Sequence, residues 1–174
     1  MRFLTISIYL FFMTIAPKLS GQYEIVVETY AENLLLDHTT YRFYIQLESP
    51  SQSVSSFFGN SDLPLTIITS NGFYNNEYGE AFGSGINPVL FGFLPELEFD
   101  SWLTIGIDSW PEGNETWVSG IESPFQPYIS CFEALNSLSG SNVLINDEIG
   151  GTWYVIDSPN GIPDEDLLVL FMQM

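Results

Sequence analysis

Residues 40–48, TYRFYIQLE, set the terms for the rest of the chain. In extended backbone Tyr41, Phe43, Ile45 and Leu47 fall on one side, and Arg42, Tyr44, Gln46 and Glu48 on the other. A period of two builds a strand with one buried and one wetted face; it cannot build an amphipathic helix. Comparable short runs, rich in Val, Ile, Tyr, Phe and Trp, occur at 23–30, 57–58, 65–69, 101–108, 116–119, 143–145, 151–157 and 167–172. Gly, Pro, Asn, Asp and Ser divide them, and no repeat of fixed period links them. This spacing predicts an all-β fold, an antiparallel β-sandwich of jelly-roll-like type.

Residues 85–108, GINPVLFGFLPELEFDSWLTIGID, are the most apolar part beyond the leader. Residues 89–94 are apolar on both faces, which predicts an inner strand. Pro95 and the alternation Glu96, Glu98, Asp100 break it, and residues 101–108 resume as a strand with Leu103, Ile105 and Ile107 on one face. Asn71-Gly72 predicts a tight turn. Residues 32–38 read as a loop, and residues 132–138 as one helical turn. Trp102 and Trp153 lie within strands and are expected in the core, and Cys131 beside Ile129 and Phe132 is expected to be a buried thiol.

The N-terminus reads as a cleavable signal peptide, residues 1–21, followed by a single domain over 22–174. Arg2 precedes an apolar run that Pro17 and Lys18 end, and Leu19-Ser20-Gly21 offers small residues for cleavage. Fifteen residues between Arg2 and Lys18 fall short of the ~20 a spanning helix needs. The formal charge of the whole chain is −19. Without residues 1–21, Arg42 is the single Lys or Arg facing 22 acids, and the formal charge becomes −21. Such a surface repels nucleic acid and anionic membrane. One Cys and one His, Cys131 and His38, allow neither an internal disulfide nor a zinc site of the usual ligands.

Three kinds of chemistry are worth weighing. The segment from Asp157 to Asp164, DSPNGIPD, ends like the N-G-x-P-D half of extracellular calcium repeats, so Asp157, Asn160 and Asp164 are candidate Ca²⁺ ligands. Ser158 stands where such repeats place an Asp, and an ordinary hairpin loop is the plainer reading. Trp110 and Trp117 flank the turn Pro111-Glu112-Gly113-Asn114 and are candidate ligand-binding residues, able to stack on a sugar. Glu96, Glu98 and Asp108 are the carboxylates for a glycosidase-like acid–base pair. Serine catalysis lacks a partner, because no G-x-S-x-G surrounds any Ser and His38 stands alone. Asn114-Glu115-Thr116 matches an N-glycosylation acceptor.

A set of local motifs carries a family likeness: Tyr41-Arg42-Phe43-Tyr44, Phe58-Gly59-Asn60, Gly85-Ile86-Asn87-Pro88, the run from Pro95 to Trp102, Thr104-Ile105-Gly106, and Gly151-Thr152-Trp153-Tyr154-Val155. Together, over about residues 23–173, they resemble a recurrent domain of large secreted Bacteroidetes proteins that often carry type IX secretion sorting domains. The resemblance implies secretion and a surface or matrix setting, and no mechanism. A run apolar on both faces at 167–172, with no sorting domain after Met174, leads us to expect truncation at the C-terminus. The expected role is a secreted, non-catalytic binding or structural module of an extracellular or cell-surface protein. Its partners would be an extracellular glycan or other secreted domains. The alternative is a calcium-assisted carbohydrate-binding domain, and the third reading a secreted hydrolase using a carboxylate pair.

Overall fold

The computed structural model describes residues 23–35, 38–70, 72–133 and 142–174. The expected signal peptide at 1–21 lies outside the described residues, as do Leu36, Asn71 of the expected turn and residues 134–138 of the expected helical turn.

The described residues form an all-β structure of antiparallel sheets. Strands β1 (Glu24–Leu35), β2 (His38–Gln46), β9 (Leu168–Gln173) and β5 (Trp102–Leu103) form one sheet in the order β1-β2-β9-β5. Strands β3 (Ser56–Gly59), β8 (Gly151–Tyr154) and β6 (Ser119–Ile121) form a second, in the order β3-β8-β6. Strands β4 (Leu65–Ile67) and β7 (Val143–Ile145) make a two-stranded ribbon. The first two sheets meet through stacked rings. Phe57 on β3 lies 5.0 Å from both Trp153 on β8 and Phe171 on β9, centroid to centroid. Trp153 also donates its indole N–H to the carbonyl of Thr104, at 3.1 Å. Burying a tryptophan removes roughly 200 Å² from water, worth about 5 kcal/mol before entropy is subtracted. Trp153 and Trp102, each 1 % exposed, therefore anchor the interior as expected.

The alternation at residues 40–48 sets the core side: Leu47 is buried in the main core and Phe43 and Ile45 pack against it. The rest differs from the expected one-wet-face strand, because Tyr41 is exposed while Tyr44, on the face expected to be wet, packs against a second cluster and Arg42 beside it is largely covered. Strand β9 explains why residues 167–172 are apolar on both faces. It lies between β2 and β5; Val169 and Phe171 face the sandwich core, while Leu170 packs in a second cluster with Ile86, Leu97 and Trp102. That second cluster is roofed by the 85–99 segment.

Here the structure corrects the reading of residues 89–94. They form no strand. Residues Pro88–Gly92 are a 3-10 helix, and Pro95–Phe99 a second. Each begins with a proline, whose fixed φ suits a first helical turn, and Asn87 caps the first by accepting from the Val89 N–H at 3.1 Å. With about three residues per turn, Leu90, Phe91 and Leu94 pack toward the second cluster, while Val89 and Phe93 stand out, 72 % and 83 % exposed. The run is apolar on both sides because one side roofs β9, not because a sheet buries both.

Residues 101–108 pair as a strand only at Trp102 and Leu103. Leu103, Ile105 and Ile107 are nonetheless all buried, and the N–H groups of Thr104 and Gly106 still reach the carbonyls of Phe171 and Leu170. Gly106 bends the segment at φ +76°. Strand β1 runs on to Leu35, into the stretch read as a loop, and pairs Leu35 with His38.

Candidate functional site

Trp110 and Trp117 are the two tryptophans the fold leaves outside, 47 % and 57 % exposed. The loop that carries them is held at every few residues. Trp110 donates its backbone N–H to Ile86 and its indole N–H to the Gly85 carbonyl, both at 3.1 Å. The turn closes on itself, with Glu115 N–H reaching the Glu112 carbonyl and the Glu115 carboxylate accepting the Glu112 N–H. Gly113, at φ +61°, supplies the left-handed position that turn needs. At the far side the Val118 N–H reaches the Ser84 hydroxyl at 3.0 Å. Consecutive residues 84, 85 and 86 thus grip both arms of the loop. Asn114, of the glycosylation pattern, is exposed in this turn.

Asn160 completes the grip. Its amide is buried, accepts the Thr116 N–H at 3.1 Å and donates to the Thr116 carbonyl at 2.9 Å. The sequence offers Asn160 as a metal ligand; the fold gives its side chain to the tryptophan loop. Asp164, the third member of that set, accepts the N–H groups of Asp166 and Leu168 with one oxygen. Asp157 sits at φ +47° and opens the turn. Among the described residues no group of three or more His, Cys, Asp or Glu is arranged to hold a metal ion.

Of the carboxylates read as an acid–base pair, Glu98 and Asp108 gather about Tyr30 and Arg42, and each is engaged by one of them. Glu96 and Glu98 do not share a face of an extended segment, because Pro95 starts the 3-10 helix Pro95–Phe99 and a two-residue step there turns the side chains apart. Glu96 is exposed, and Glu98 accepts the Tyr30 hydroxyl at 2.7 Å. Asp108 pairs with Arg42 at 2.9 Å. Asp108 and Asp164 line one open hollow of about 320 Å³ together with Arg42, Tyr44 and Leu170.

Arg42 is the hub of this face. Its guanidinium lies 3.8 Å from the Tyr30 ring centre and 5.8 Å from that of Trp102, and its Nε donates to Gln173 at 2.9 Å. Gln173, itself buried, passes its amide N–H groups to the carbonyls of Glu98 and Asp100. A cation on aromatic faces, with its N–H groups paired, is a packing element. Burial and the hydrogen bond to Glu98 push the Tyr30 phenol up to about 12, so it stays a donor.

Sequence reasoning passed over Asp100, named only as part of an alternation. Its side chain has no exposure. One oxygen accepts the Asn76 N–H at 2.7 Å and the other the Glu80 N–H at 3.1 Å, closing the 76–80 loop. A Cβ on Gly79 would come within 2.1 Å of that carboxylate. Burial pushes the group up to about 8, against the pull of those N–H groups. A buried, shifted acid is a common mark of catalysis, but these oxygens are spent on backbone. The available signal was the run of Gly and Asn at 75–85, a loop that needs an internal acceptor.

Comparison of the chain with family models, with curated proteins and with solved structures returns no match, so the geometry of the tryptophan loop and of the Arg42 face stands as the only guide to what this protein does.

Proposed function

We propose that the chain is a secreted, non-catalytic binding module of an extracellular or cell-surface protein, and that it holds its ligand on the loop of Trp110 and Trp117. One observation carries the reading. Two large aromatic faces are left in solvent on a loop whose arms are tied to residues 84–86 and to Asn160. Exposed indoles on a floppy loop would lose their binding energy to ordering; a tied loop has met that cost during folding. The ligand class that suits half-exposed indoles under a strongly acidic surface is a neutral one with apolar faces, of which an extended glycan is the leading case.

The test is a glycan array with the purified chain, followed by titration of tryptophan fluorescence with any hit. A true ligand quenches the indole emission saturably. The double variant Trp110→Ala, Trp117→Ala should bind roughly a hundredfold more weakly, as loss of central aromatic anchors does, with its thermal midpoint close to that of the parent. Undiminished binding by the double variant, or an array silent at high protein concentration, defeats the proposal.

A further inference from the structure

The four-stranded sheet ends on β1, and among the described residues the outer edge of β1 has no backbone partner. From Glu24 to Thr29 the pairing with β2 is unbroken; a bulge follows only after Thr29. Six residues of regular edge run about 20 Å. Edges of this kind are ordinarily guarded by Lys, by Pro or by a covering segment. Residues 24–29, EIVVET, contain neither Lys nor Pro.

Register shows which way these side chains point. Ile25 lies opposite Ile45 and Val27 opposite Phe43, and both partners pack against the core. Ile25 and Val27 are therefore on the core-facing side of the sheet, yet they are 58 % and 54 % exposed, and Tyr23 beside them 50 %. Among the described residues the facing sheet stops at its own edge strand, β3, and no other element covers this strip. Two hollows open along it. One, of about 260 Å³, is bordered by Tyr23, Ile45 and Phe57; the other, of about 540 Å³, by Val27, Phe43 and Ile68.

Charge selects the occupant. The opposite face of the same six residues carries exposed Glu24 and Glu28 on a chain of formal charge −19. Were a second copy to add its own β1 antiparallel about Val26, Glu24 would face Glu28 twice, and like charges directly opposed destabilise a ladder. A cationic strand reverses both terms.

We propose that the free edge of β1 takes up an extended segment of a partner protein in which apolar residues alternate with Lys or Arg. The partner adds a strand to the sheet by main-chain hydrogen bonds. Its apolar side chains cover Tyr23, Ile25 and Val27 and enter the two hollows, and its cations stand beside Glu24 and Glu28. The site is separate from the tryptophan loop, so it neither needs nor tests the ligand reading above.

The experiment uses the full chain and three labelled nine-residue peptides: alternating Val and Lys, alternating Val and Glu, and a Val/Lys peptide of scrambled order. Binding is read by fluorescence anisotropy, and its location by amide hydrogen exchange. The alternating Val/Lys peptide should bind best and slow exchange over residues 24–29. Ile25→Lys with Val27→Lys, two exposed positions, should weaken it roughly tenfold, and Glu24→Lys with Glu28→Lys should shift the preference toward the Val/Glu peptide by a similar factor. Equal binding of all three peptides to the parent protein overturns the proposal and does not depend on any variant folding. So does protection, in the peptide-free monomer, of those amides of residues 24–29 that point away from β2, which would make the cover another part of this chain. A dimer in sedimentation that protects the same residues also overturns it, in favour of a second copy.

Discussion

Asp100 offers a prediction that can be carried through to numbers. Its carboxyl group, pushed up by burial to about 8 from 3.8, keeps its proton in the folded chain while the unfolded chain has lost it. The sign follows directly. Between those two values unfolding releases a proton, so stability is greatest below pH 4 on this account and drains away as pH rises toward 8. Each pH unit costs about 1.4 kcal/mol, and the full window at most about 6 kcal/mol. Domains of this size keep only about 5–15 kcal/mol in total, so the effect is large enough to measure. The assay is urea unfolding at fixed ionic strength from pH 5.5 to 8, on the parent and on Asp100→Asn. Whatever the other titrating groups contribute is common to both proteins and cancels in the difference. The parent should lose about 3 kcal/mol over these 2.5 units relative to the variant. At pH 5.5 the variant should be the weaker by about 1–3 kcal/mol, because its amide NH₂ replaces one oxygen that accepts a backbone N–H. At pH 8 the gap should close. A parent whose stability is flat or rises with pH over this window would show that the N–H groups of Asn76 and Glu80 outweigh burial and that Asp100 is an ionised clamp.

Two further outcomes follow from the same packing. Gly106→Ala places a Cβ 1.6 Å from the Asn160 carbonyl oxygen at a φ of +76°, so it should lower stability by about 3 kcal/mol or more and loosen the tryptophan loop as well; an unchanged urea midpoint would contradict the arrangement. Millimolar Ca²⁺ should raise the thermal midpoint no more than Mg²⁺ does at equal ionic strength, because Asn160 and Asp164 already bond to backbone; a rise specific to Ca²⁺ and reversed by chelator would restore the metal reading of that loop.

Much of this architecture was legible because it rests on local periodicity. The alternation of Tyr41, Phe43, Ile45 and Leu47, the three-residue run at 143–145, and the aromatic segment around Trp153 each state their own strand and face. The turn residues between Trp110 and Trp117 marked them as candidates, but that both stand in solvent was decided by the fold. What failed was a run without periodicity. Residues 89–94 are equally apolar all round, so only the two prolines hinted at helical turns, and the decision to roof β9 with them depends on Leu170, some eighty residues away. The candidate site divides in the same way. Asn160 reads as a ligand oxygen in isolation and as a brace once Thr116 is beside it. Asp100 looks like one more surface acid until the 76–80 loop closes over it.

The amino-acid order by itself settled the strand-built character, the acidic composition and the identity of the buried tryptophans, since these follow from period, composition and side-chain size. Which edge stays open, which carboxylate is sealed, and which oxygens remain free for a ligand were decided only by tertiary contact. Each of those outcomes depends on groups distant in the chain meeting at hydrogen-bond range, and no local pattern encodes such a meeting.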